Sequence, residues 1–119
     1  MAGGGPWADA TEQKSGELKV RERLANRRHS EIFNFRVDGL RFTGSVSRFK
    51  DDRIAEVFLD NHKAGSGIGT LVRDSAIILS FALQHGADAE AIRRALCRDS
   101  QGRPLGPMAV ALDLLADGE

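Results

Sequence analysis

An α+β fold follows from three features of the sequence. Three short strand patterns run in succession from Ile32 to Leu59, a long amphipathic helix pattern follows at once from Ile68 to Gln84, and two shorter helical stretches complete the chain. The arrangement this predicts is a three-stranded antiparallel β-meander covered on one face by a long helix and two shorter C-terminal helices.

The first strand is read from Ile32, Phe33, Phe35 and Val37, which alternate imperfectly. Asp38-Gly39 then supplies a two-residue hairpin turn, because both positions tolerate positive φ. Leu40 to Phe49 returns with Leu40, Phe42, Gly44, Val46 and Arg48 on one side and Arg41, Thr43, Ser45 and Ser47 on the other. That one-sided pattern suits a sheet with one buried face. Lys50 to Arg53 is a polar turn, and Ile54 to Leu59 sets Ile54, Glu56 and Phe58 opposite Ala55, Val57 and Leu59. Alone, such a meander leaves an apolar face bare, so something must cover it.

The long helix is that cover. At 100° per residue, Ile68, Leu71, Val72, Ser75, Ala76, Leu79, Ala82 and Leu83 share a broad face with Ile78 at its edge. Ser66 is the expected N-cap and Gly86 the expected left-handed residue after the last turn. Thr70, Arg73, Asp74 and Gln84 mark the wet side, yet Ile77 and Phe81 lie among them. Two large apolar groups there call for a second contact, supplied by the later helices or by another subunit. Arg73 and Asp74 suit surface or interface ion pairs.

Asp88 caps a short helix from Ala89 to about Cys97, on whose inner side Cys97 is expected as a buried, inert thiol. The last helix begins at Pro107, where a proline costs no hydrogen bond. Its apolar residues must be packed, and a path across Ile77 and Phe81 would accomplish that.

A length of 119 residues suits one small domain plus a tail. The longest apolar run, Ala76 to Leu83, is too short to cross a bilayer. Glycine-rich Met1 to Pro6 shows no leader pattern, so a cytoplasmic location is expected. A single cysteine excludes an internal disulfide and any multi-cysteine zinc site. Basic and acidic residues balance at 17 each, but Lys19, Arg21, Arg23, Arg27 and Arg28 stand against Glu22 alone. Residues 1–29 are therefore expected to be a flexible basic arm, with isolated Trp7 a tail residue, and residues 30–116 the folded domain.

Several segments together carry a family resemblance. Arg48-Phe49-Lys50-Asp51-Asp52-Arg53-Ile54-Ala55-Glu56-Val57-Phe58-Leu59 leads into Lys63-Ala64-Gly65-Ser66. Arg73-Asp74 and Ser80-Phe81-Ala82-Leu83-Gln84-His85-Gly86 follow. In this order they resemble the TSCPD domain, a module at the C-terminus of cobalamin-dependent (class II) ribonucleotide reductases that also occurs as small free-standing proteins. The likeness covers about residues 26 to 115. The Thr-Ser-Cys-Pro-Asp string is absent, its nearest counterpart being Cys97-Arg98-Asp99-Ser100, and nothing matches the reductase's catalytic barrel or cofactor site. The resemblance implies a non-catalytic interaction module linked to deoxyribonucleotide and DNA synthesis, with a protein partner or a homodimer.

A second reading rests on charge. Lys63, Gly65, Ser66 and Gly67 precede the long helix, where free N–H groups, the helix dipole and the ammonium would favour a phosphate or carboxylate. Their structural reading is a turn and a cap. Arg21, Arg23, Arg27 and Arg28 would contact nucleic acid or an acidic partner weakly and in a salt-sensitive way, or remain solvated. A small nucleotide- or nucleic-acid-binding protein is thus the alternative. No catalytic residue, metal site or cofactor is assigned, since His29, His62 and His85 are scattered over arm, loop and helix end.

Overall fold

A computed structural model of the chain describes residues 20–24, 29–63 and 67–117. Three strands, β1 (Ser30–Val37), β2 (Leu40–Arg48) and β3 (Ile54–Asn61), form an antiparallel sheet in the order β1-β2-β3. Helices α1 (Gly67–Gln84), α2 (Ala89–Ala95) and α3 (Pro107–Asp117) follow. The α+β meander with a helical layer is therefore the observed fold.

Turn chemistry sets the register. Asp38 and Gly39 both take positive φ, 52° and 80°, and the hairpin closes on the pair Val37 and Leu40. In the β2–β3 turn Asp52 is left-handed, the Phe49 N–H donates to the Arg53 carbonyl at 2.9 Å, and the Arg53 guanidinium lies 4.6 Å from the centre of the Phe49 ring. Gly44 in mid-strand has its own reason. A Cβ there would lie 2.4 Å from the Phe33 ring, which covers the glycine from the opposite strand.

Phe42, Val46, Val57 and Leu59 point to the covered face and meet Val72, Ala76, Leu79 and Leu83 of α1 and Ala111 and Leu112 of α3. Each large side chain so buried contributes roughly 1.5–3 kcal/mol before the entropy of ordering is counted. α1 packs against β3, while α3 reaches β1 and α1. Gly86 ends α1 with φ 100°, and the Asp88 carboxylate accepts the Glu90 N–H to start α2, both as the sequence predicts. Ser66 and Trp7 lie outside the described residues.

Two expectations about α1 are corrected. Leu71 and Ile78, assigned to the covered face and its edge, are 70% and 69% exposed, whereas Gln84, assigned to the wet side, is buried. The cause is the unpaired margin of β3. Its backbone polar groups need partners, and Ser80 and Gln84, one turn apart, supply them, so α1 rolls until those two face the strand. Nor does the last helix cross Ile77 and Phe81, which stay 44% and 47% exposed, because α3 fills the space over the core instead.

Cys97 is a third correction. α2 stops at Ala95, and Leu96 turns extended with its N–H on the Ile92 carbonyl. The chain then pairs Arg98 with Pro104 in a short bridge, while the Cys97 carbonyl accepts the Leu105 N–H at 3.0 Å. That path leaves the thiol exposed.

Candidate functional site

Closure of the β3 margin positions everything else on that side of the molecule. The Ser80 hydroxyl accepts the Val57 N–H and donates to the Val57 carbonyl, both at 3.0 Å. The Gln84 side-chain amide donates to the Ala55 carbonyl at 3.1 Å, its oxygen accepts from the Arg21 guanidinium, and its backbone carbonyl accepts the Glu22 N–H at 2.7 Å. α1 thus lies alongside the strand as well as over it. Its outer flank is presented next to the uncovered face of the sheet.

On that uncovered face the register lines up Ile32, Ser45 and Phe58 across the three strands, and Asn34, Thr43 and Asp60 in the next row. Ile77 of α1 continues the first row and Arg73 the second, its guanidinium meeting Asp60 at 2.8 Å. The result is an open trough of about 420 Å³, apolar at Ile32, Phe58 and Ile77 and polar at the Asp60–Arg73 end. Thr43 bonds both Asn34 and the His62 ring beside it. Leu71, Asp74, Ile78 and Phe81 of α1 are also exposed.

The expected interface residues therefore separate. Ile77 and Arg73 line the trough, and Arg73 pairs with Asp60. Phe81 is half-covered by the Arg21 guanidinium, 4.3 Å from the ring centre, and Asp74 has no ion-pair partner among the described residues. Arg21 is thereby engaged in the fold and Arg23 is exposed, whereas Arg27 and Arg28 lie outside the described residues. Of the expected anion seat, Lys63 and Gly67 are exposed, while Gly65 and Ser66 also fall outside the description. The Asn61 side chain already accepts the Lys63 N–H at 3.0 Å. Arg21 sits at the C-terminal end of α1 and Lys63 before its start, so roughly 25 Å of helix separates arm from loop.

The shifted ionisations belong to structural ion pairs. Asp113 of α3 accepts from Arg98 and Arg93, and these guanidiniums hold its carboxyl at about 2. Glu90, bonded by Arg93 and then Arg94, is also held at about 2. The same contacts raise Arg93 and Arg98. The cluster joins α2, the loop after it and α3. Asp51 and Asp99 are lowered by Arg53 and Arg103 within their own turns. Among the described residues no group of three His, Cys, Asp or Glu side chains is placed to hold a metal, and no helix is long and apolar enough to cross a membrane.

Sequence reasoning missed Ser80 and Gln84 as strand-facing groups. Their spacing of four, within an otherwise apolar run, was the available clue. Ile32 and Phe58 were legible as strand residues only; their exposure and their alignment through Ser45 needed the register.

Comparison with known proteins supplies the remaining finding. The chain is 36% identical over 72 residues to a vitamin B12-dependent ribonucleotide reductase of Agrobacterium fabrum, a match covering 60% of this chain and 6% of that protein. It is 29% identical over 69 residues to a vitamin B12-dependent ribonucleotide reductase of Bradyrhizobium diazoefficiens, covering 58% and 6%. The chain thus spans about 6% of the length of the curated relatives it matches. No family model and no solved structure matches.

Proposed function

We propose that this chain is a non-catalytic accessory module of the TSCPD type, acting by protein–protein contact alongside a ribonucleotide reductase and so linked to deoxyribonucleotide and DNA synthesis. The observation that carries the reading is the similarity of 60% of the chain to a short stretch of a vitamin B12-dependent ribonucleotide reductase. Its fold agrees with such a role. The carboxylates held below their ordinary range are each paired with an arginine, Asp51 and Asp99 within their own turns, Glu90 within α2 and Asp113 across to α2 and the loop after it, an arrangement suited to stability. The contact surface we assign is the trough, with apolar Ile32, Ile77 and Phe58 to bury and the Asp60–Arg73 ion pair as its polar end.

Titration of the purified chain against a vitamin B12-dependent ribonucleotide reductase tests this. A saturable complex is expected, weakened about tenfold or more by Ile77→Asp, since burying an unpaired carboxylate in an apolar contact costs more than 1.4 kcal/mol. Absence of a complex at high micromolar concentration, or reduction of ribonucleotides by this chain alone, would refute the proposal.

A further inference from the structure

We propose that the free margin of β1 is a strand-addition site, where an extended segment of a partner protein pairs antiparallel with β1 and sets a carboxylate against Arg36. The inference stands apart from the contact proposed for the trough. The two margins of the sheet are treated differently by the fold. Ser80 and Gln84 close the β3 margin, whereas β1 has no such cover.

The register shows which groups are left open. The Arg41 carbonyl faces β3, where it accepts the His62 N–H at 3.0 Å. Its pair with Arg36 therefore exchanges no backbone bond, and Arg36, Asn34 and Ile32 aim their N–H and C=O groups away from β2. None of these backbone groups has a partner among the described residues, and all three residues are exposed, Ile32 at 72%. The usual devices that blunt an edge are missing. β1 contains no proline, its pairing with β2 has no bulge, and Ile32 to Phe35 carry no charge.

Donors and acceptors repeating every two residues, about 7 Å, fit one kind of occupant, another extended backbone. Side chains narrow its chemistry. On the uncovered face Arg36 stands directly opposite Arg41, and neither guanidinium has a carboxylate partner among the described residues. Like charges so placed repel, and an acidic residue beside Arg36 would relieve them. On the other face Phe33 and Phe35 are only partly buried where the core ends, so apolar residues of the added strand would cover them. A second copy of β1 does not fit. Paired residues share a face, and its one carboxylate, Glu31, lies on the face opposite Arg36.

The test uses a capped peptide, Thr-Glu-Val-Thr-Val-Val-Lys, whose second, fourth and sixth residues would meet Arg36, Asn34 and Ile32. Titration followed by amide resonances should show saturable binding below about 1 mM. The Ile32, Asn34 and Arg36 amides should gain exchange protection in the complex. N-methylation of the second and fourth peptide residues should weaken binding about tenfold or more, and N-methylation of the third and fifth should not. Replacing the peptide glutamate by lysine should weaken binding to the wild type and strengthen it to Arg36→Glu. Ile77→Asp, about 15 Å away across three strands, should leave binding unchanged, which separates this site from the trough. No binding at millimolar peptide, equal effects of the two N-methylation patterns, an Arg36→Glu variant with unaltered preference, or binding lost in Ile77→Asp would each overturn the inference. So would protection of the three amides that grows with the concentration of the protein alone, since a second copy would then hold the margin.

Discussion

The side-chain hydroxyl of Ser80 bonds both backbone groups of Val57, accepting its N–H and donating to its carbonyl at 3.0 Å each. A helix residue thereby does for an edge strand what a neighbouring strand would do. With Gln84 on Ala55 one turn later, the bond fixes how α1 is rolled, and so which side chains it offers outward.

Ser80→Ala should destabilise the protein by about 1–3 kcal/mol, because it leaves a buried N–H and a buried carbonyl without partners. Chemical denaturation measures it through a lowered midpoint at unchanged slope. A loss under half a kcal/mol would mean that another group closes the margin of β3.

Gly44→Ala should cost about 1–3 kcal/mol, since the new methyl would stand 2.4 Å from the Phe33 ring and the ring must move. Phe33→Leu in the same chain should recover part of that loss. A double-mutant cycle detects the coupling, and strictly additive losses would contradict the close approach.

Acid stability should depend on Asp113. Its carboxyl is held at about 2 by Arg98 and Arg93, against an ordinary value of 3.8, so the native state takes up the proton less readily than the unfolded chain. The stability this contributes is complete above the ordinary value and is lost as pH falls through the folded one, that is between about 4 and 2. Glu90, lowered from 4.5 to about 2, acts in the same direction. Thermal melts of Asp113→Asn against wild type should show a smaller decline across that window, whereas equal declines would contradict the assignment.

The strands and helices were legible because their causes are local. Asp38-Gly39 forces the hairpin, Gly86 stops α1, and Asp88 starts α2, all within a few residues. The roll of α1 was not legible, because it depends on bonds between residues 23 and 29 apart in sequence. Apolar count alone put Leu71 and Ile78 inward, but the polar needs of β3 outweighed it. The trough was hidden for the same reason, since Ile32 and Phe58 come together only through their pairing with Ser45. Cys97 was misplaced by extending α2 two residues too far.

Amide hydrogen exchange at Val57 tests most directly whether α1 closes the margin of the sheet and so creates the surfaces assigned above. The Val57 N–H should be among the slowest to exchange in the wild type, and at least tenfold faster in Ser80→Ala while the Leu83 amide within α1 is much less affected. Rapid exchange at Val57 in the wild type, like that of an uncovered edge strand, would contradict the account.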